Sequence, residues 1–207
     1  MTGVLHIGEQ TDPRFEFRLF GSNLQGIRKQ LEHLSDDVPV NVKERYSEEI
    51  YLVSLHSNRF NIKIRDNNMD VKELIWTDNI VEQWNPVLKS AFPIDWNVVK
   101  TMILPGLKLL PGNVLDGNIT VDRLSSFIDS YSEALAVKVS KRRFGFLIHN
   151  TICEFANVVI NDTKVDTVAV ESTDIEAVRA TIAELGLGNR TNINYIMQIK
   201  SLAGLVT

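Results

Sequence analysis

Cysteine is almost missing from this chain: Cys153 is the only one in 207 residues. No intramolecular disulfide can form, and no cysteine-based zinc site is possible. A reducing, cytoplasmic setting is the expectation. Also missing is any run of roughly 18 apolar residues, the length a helix needs to cross a bilayer. Met1 to Glu9 carries no basic region followed by a long apolar core, so it does not read as a signal peptide. Positive charge is not in excess either. Lys and Arg number 22 against 26 Asp and Glu, a net charge of −4, so no global field draws in nucleic acid. Any anion site must come from local clustering. There is no phosphate-binding Gly-x-x-x-x-Gly-Lys-Ser/Thr loop and no Gly-x-Ser-x-Gly elbow. His6, His33, His56 and His149 share no metal-ligand spacing. What remains is ordinary globular composition, 44% hydrophobic and 23% charged, long enough to bury a real core.

The apolar residues that are present fall into strand and helix periods. Arg14 to Phe20 alternates, with Phe15, Phe17 and Leu19 on one face and Arg14, Glu16 and Arg18 on the other. After Gly21, Ser22 stands three residues before Gln25, a capping-box spacing, and Leu24, Ile27, Leu31 and Leu34 form a helical stripe that ends at Ser35 to Asp37. Ile50 to Leu55, Phe60 to Arg65 and Met69 to Ile75 read as strands, the last two joined by an Asp66-Asn67-Asn68 turn. Residues 81–117 differ: Trp84, Trp96 and four prolines break the pattern, and the segment reads as a covering insertion with a helix near Trp96 to Leu104. An amphipathic helix follows over Val121 to Tyr131. Strands return at Leu135 to Ile148, Ile152 to Ile160 and Val165 to Ser172. Thr173 precedes Glu176 at capping-box spacing, Gly186 and Gly188 stop that helix, and a last helix runs from Asn192 to Leu202. No repeat or linker divides the chain, so 1–207 reads as a single α+β domain.

Charge alternation on one strand is commonly a solvated sheet face. Here several strands bring the same chemistry to the same face. Lys63, Arg65 and Lys72 stand opposite the apolar side of the hairpin, Lys138, Lys141, Arg142 and Arg143 sit on a later strand, and Glu154 and Glu171 on the last two. Helices cover the apolar faces, so if the sheet closes, the charged faces turn inward. Such an interior is costly unless an anion joins it, because burying one unpaired charge costs several kcal/mol. Arginine grips phosphate oxygens in pairs and lysine acts as a point charge, while interleaved carboxylates suit Mg²⁺ or Mn²⁺.

These residues resemble the CYTH superfamily, the triphosphate tunnel metalloenzymes. The resemblance rests on the Phe60-to-Lys72 hairpin, the run from Val168 to Asp174 followed by a helix and Leu185-Gly-Leu187, and Asn194-Tyr195 in the final helix. It covers most of the chain outside about residues 81–117. It implies an antiparallel barrel of eight strands, open at both ends, with helices packed outside. Lys63, Arg65 and Lys72 match the family's basic hairpin, and Lys141 and Arg143 its later Lys-x-Arg element. Strand parity favours Lys138 and Arg142 instead, unless a bulge intervenes. The opening Glu-x-Glu-x-Lys is represented by Arg14, Glu16 and Arg18, and the closing Glu-x-Glu by Ala169 and Glu171, so each acid pair keeps only its second member.

The resemblance implies a triphosphate or polyphosphate ligand, held by Arg14, Arg18, Lys63, Arg65, Lys72, Lys138, Lys141 and Arg143. Glu16, Glu154 and Glu171 would hold Mg²⁺ or Mn²⁺, with Glu16 and Glu171 catalytic in hydrolysis. The alternative is a non-catalytic polyanion-binding module of the same fold. Nucleic acid and membrane are not expected partners, and a homodimer is allowed.

Overall fold

The computed structural model describes residues 12–35, 44–112 and 117–205. The reading of Met1 to Glu9, His6, and the helix end at Asp36 and Asp37 lie outside them. Eight strands form the framework: β1 (Arg14–Gly21), β2 (Glu44–Ser54), β3 (Ser57–Arg65), β4 (Asn68–Thr77), β5 (Glu82–Ala91), β6 (Ala134–Ile148), β7 (Thr151–Ile160) and β8 (Thr163–Ser172). They close into an antiparallel barrel in the order β1-β8-β7-β6-β2-β3-β4-β5, with β5 pairing back onto β1. Two of the hairpins turn on residues that tolerate the left-handed backbone. Asp66 and Asn67 have φ of 50° and 56°, and Asn161 and Asp162 have 46° and 64°.

Around the cavity half the staves alternate with a two-residue period, and their apolar faces point outward. Helix α1 (Gln25–Leu34) and helix α4 (Ile175–Glu184) lay Leu31, Val178 and Ile182 over Phe17, Phe155 and Val170. A helix of residues 96–107, α2, with a π turn at Val99–Ile103, joins α3 (Val121–Ile128) over Ile62, Ile64, Met69 and Val71. Gly106 permits that approach. A Cβ there would stand 3.3 Å from both Phe60 and Ile62.

Inside the barrel the two halves differ. At one end Val53, Val137, Val139 and Val158 face inward, and helix α5 (Tyr195–Leu202) fills the space between them with Ile196 and Ile199. The helix is fastened at both ends. Ile193 N–H donates to the Arg18 carbonyl at 2.7 Å and Arg18 N–H to Asn192 Oδ1 at 2.8 Å, so the approach to α5 lies along β1. Lys200 Nζ donates to the Leu55 carbonyl and to Asn58 Oδ1 at the other end. The barrel is therefore stoppered at that end and not open at both.

Several sequence expectations change. The span 81–117 is not all a cover: Glu82–Ala91 is a barrel stave, and the part from Phe92 to Leu109 packs over the outer face. Pro86 and register shifts on either side of Lys72 and Leu74 hide its alternation. Ser22 does not cap α1, whose N-cap Leu24 makes no side-chain bond. Asp174, not Thr173, caps α4, and α5, capped by Asn194, begins at Tyr195, three residues after Asn192. Strand β6 needs no bulge against its neighbours: its inward set is Val137, Val139, Lys141 and Arg143, because two valines, not Lys138, face the stopper.

Ile199 has no exposed surface. Ile199→Ala is expected to lower stability by about 2–5 kcal/mol, read as the urea midpoint. A loss below about 1 kcal/mol would show that α5 is not packed inside the barrel.

Candidate functional site

The half of the barrel away from α5 holds a cavity of about 430 Å³. Nine Lys and Arg line it against four acids, Glu16, Asp70, Glu154 and Glu171. Exposure grades along the wall. Arg45 and Arg65 side chains are 24% exposed at the outer ends of their strands, whereas Lys141 is 4% exposed beside the stopper. The mouth is thus ringed by Arg45, Arg65 and Lys89, and the floor is formed where α5 begins.

Two acids hold most of the cations in place. Glu49, fully buried, receives Lys141 at 2.8 Å and Arg65 at 3.6 Å. Glu154 stands 3.7 Å from both Arg18 and Arg45 and 4.0 Å from Arg143. Lys63 pairs with Asp70 at 3.3 Å. Glu16 accepts from Arg18 Nε at 2.8 Å, and Glu171 from Arg14 at 3.3 Å. At the floor, Lys141 also donates to Tyr51 Oη at 2.7 Å and lies 3.6 Å from the centre of the Tyr195 ring. Arg18 covers that ring too, at 4.6 Å, and Tyr51 stacks on it.

This crowding shifts the titrations. Burial alone would raise Glu16, yet Arg18, Lys72 and Lys63 hold it below its ordinary value. Burial raises Glu171, against the pull of Lys72, and the neighbouring Glu16 charge adds to the rise. The two carboxylates are direct cross-strand partners. Burial lowers Arg45, helped by Arg143 directly across the strand pair, and lowers Lys72, helped by Lys63. Burial brings Lys141 down to about 7, with Glu49 opposing and Lys63 adding to the fall. Burial also pushes Cys153 up to about 12, so it is no activated thiolate.

The structure brings together Arg14, Glu16, Arg18, Lys63, Arg65, Lys72, Lys141, Arg143, Glu154 and Glu171. Lys138 is not among them; it is exposed on the outer surface of β6, as is Arg142. Sequence reading missed Arg45, Glu49, Asp70 and Lys89. Arg45 and Glu49 precede Ile50, where the apolar pattern of β2 begins, and extending the alternation back from Tyr51 finds both. Four buried atoms of the lining have no hydrogen-bond partner: Arg45 Nε, Arg143 Nε, Asn61 Oδ1 and Tyr195 Oη. Two of the four are arginine donors.

The acids fit a resident divalent metal poorly. Among the described residues no three Asp, Glu, His or Cys converge on a metal position. Glu16 and Glu171 are each held by an arginine, and Glu154 is faced by three. A cation there would sit against guanidinium groups that repel it.

No protein-family model matches this sequence, and no curated protein matches it. Solved structures do. A conserved hypothetical protein from Pyrococcus furiosus is 14% identical over 88% of this chain and 98% of its own, with a TM-score of 0.53. The PH1012 protein from Pyrococcus horikoshii OT3 is 15% identical over 91% and 98%, at 0.50. HpAC1 from Hippeastrum, whose description reports a dominant triphosphatase activity, is 11% identical over 92% and 95%, and at 0.47 the likeness is too loose to carry function. At these identities what is shared is the fold. It is the closed antiparallel barrel of eight strands that the CYTH resemblance implies. No described helix is long and apolar enough to cross a membrane.

Between about pH 7 and the ordinary lysine value near 10.4, the unfolded chain holds a proton on Lys141 that the folded chain lacks. More protons on the unfolded state make stability rise with pH. The stability of the parent relative to Lys141→Met is therefore expected to climb across that window in urea melts at pH 6.5, 8 and 9.5. A flat difference would place the Lys141 titration outside it.

Proposed function

We propose that this chain is a divergent CYTH-type barrel that binds a triphosphate-bearing small molecule or a short polyphosphate in its half-closed interior. One observation carries this reading: nine cations face four acids on the wall of one cavity, and the buried Glu49 and Glu82 behind it bring the acids only to six. In a protein of net charge −4 this concentration of positive charge is local. Unmatched interior cations repel one another, and each costs desolvation that a polyanion offsets. Arg45 and Arg143, paired across two strands with their Nε atoms unused, offer adjacent donors of the kind that grip phosphate oxygens. Ligand binding, not catalysis, is the function these side chains support directly.

Hydrolysis with Mg²⁺ or Mn²⁺ is the second reading. The pairing of Glu16 with Glu171 across β1 and β8 favours it, since both carboxylates enter the cavity side by side. Against it, Arg18 and Arg14 already engage those acids.

Calorimetry with sodium tripolyphosphate tests the proposal. Binding is expected in the presence of EDTA, to weaken with added salt, and to fall about tenfold or more in Arg45→Ala, the loss of one charge-assisted contact. Absence of binding by the folded protein would remove the proposal. Phosphate release that requires Mn²⁺ and disappears in Glu171→Gln would establish the second reading instead.

A further inference from the structure

A buried amine stands at the closed end of the cavity. Lys141 lines that end with its side chain only 4% exposed. Its Nζ donates to Tyr51 Oη at 2.7 Å and lies 2.8 Å from the Glu49 carboxylate. The centre of the Tyr195 ring is 3.6 Å away, and Arg18 stands over the same ring. Behind this group Ile196 and Ile199 close the barrel, at 1% and 0% exposure. The amine is thus fixed among a carboxylate, a phenol and a second cation, on the floor of a cavity open only at its other end.

A lysine in such surroundings is a nucleophile as well as a charge. Burial disfavours its ammonium form and Lys63 adds to the effect, while Glu49 and Glu154 oppose it. Lys141 falls to about 7, so the free amine predominates at pH 8. Tyr51 moves the other way. Burial and the Glu49 charge hold it well above its ordinary value, so it keeps its proton. Lysines that are desolvated and set beside other cations are the ones that form imines with carbonyl compounds. The wall decides which carbonyl compounds arrive, because a phosphate group on the same molecule is drawn to Arg18 and Arg143. Resting on the reading above that the cavity takes phosphate groups, we infer that Lys141 is a covalent site for phosphate-bearing aldehydes, held as an imine, with Tyr51 as proton relay. The Nζ lone pair forms the bond to the carbonyl carbon as the C=O π bond opens onto oxygen. Two protons pass from the nitrogen to that oxygen through the Tyr51 hydroxyl, to which Nζ already donates. The oxygen then leaves as water while the C=N bond forms, and no oxidant or reductant is consumed.

Pyridoxal 5′-phosphate is a suitable probe, with pyridoxal, the same aldehyde without phosphate, as its control. The folded protein is incubated with each at pH 8, the imine is fixed with borohydride, and peptide mass spectrometry maps the label. Lys141 is expected to react at least about tenfold faster than the exposed Lys29, Lys100 and Lys164. Pyridoxal is expected to label it at least about tenfold less at equal concentration, and tripolyphosphate to protect it. Tyr51→Phe, with folding checked by circular dichroism, is expected to slow the labelling at least about tenfold, as loss of a proton-transfer group does. Label on Lys72 or on the exposed lysines with Lys141 bare would overturn the inference, and tripolyphosphate binding in calorimetry would still stand apart from it. An unchanged rate in Tyr51→Phe would overturn the relay. Equal labelling of Lys141 by both aldehydes, without protection by tripolyphosphate, would overturn the inference as stated and the proposed function together.

Discussion

The structure depends on keeping like charges apart inside a closed sheet. A barrel of eight antiparallel strands has no edge to relieve pressure, and its interior positions are fixed by the two-residue period. Once Arg14, Glu16 and Arg18 face inward, every neighbouring stave must answer them. Glu154 does so from β7, meeting Arg18, Arg45 and Arg143, and Glu49 does so from β2, meeting Lys141 and Arg65. These two acids are the braces of the cavity. Removing either would leave two or three buried cations facing one another, and a partner lost from a buried ion pair costs about 3–5 kcal/mol. The braces still leave the wall short of negative charge, and that shortfall is what the proposed polyanion would meet.

The same strands serve two ends with opposite needs. On β6 the inward positions pass from Val137 and Val139 to Lys141 and Arg143 without any change of parity. On β2 they pass from Val53 through Tyr51 to Glu49 and Arg45. The apolar half can be filled by an amphipathic helix, and α5 fills it. The polar half cannot, so a cavity remains. Tyr51 and Tyr195 sit at the seam, where a ring can face valines on one side and an ammonium or guanidinium on the other. Lys141 lies at this seam, close enough to the apolar side that burial brings its titration to about 7.

Much of this was legible in the residue pattern. The alternation of Arg14 to Phe20 and of the Phe60-to-Lys72 hairpin identified both the strands and their charged faces, and the Asp66-Asn67 turn joined the right pair. What escaped has physical causes. Strand β5 contains Pro86 and meets β4 through shifted register, so its period is broken where it matters. Arg45 and Glu49 lie in the half of β2 whose outer face is Tyr46, Glu48 and Glu44, exposed or paired to Ser140 and Arg142, and no apolar face marks that stretch as strand. Parity puts Lys138 with Arg142 on one face of β6 and Lys141 with Arg143 on the other. The second pair turns inward because its face also carries Val137 and Val139, which meet the stopper, where an inward Lys138 would have to enter the valine cluster around Ile196. The cap of α4 slipped by one because Thr173 and Asp174 can each supply an oxygen, while α1 starts behind Leu24, which supplies none.

The lost members of the acid pairs acquire a consistent meaning from this geometry. Arg14 stands where the resemblance leads one to expect an acid, and it bonds Glu171 on the opposite strand, which itself lacks its usual companion at Ala169. The arginine thus places its charge beside the surviving acid. Arg18, where the resemblance already leads one to expect a cation, does so for Glu16. A guanidinium cannot lower a water's pKa as a bound metal does, but it carries a permanent charge and directional donors. Arginine in these places keeps positive charge beside both acids without the Lewis acidity of a metal. A phosphate ligand of the kind proposed would meet the protein's own cations.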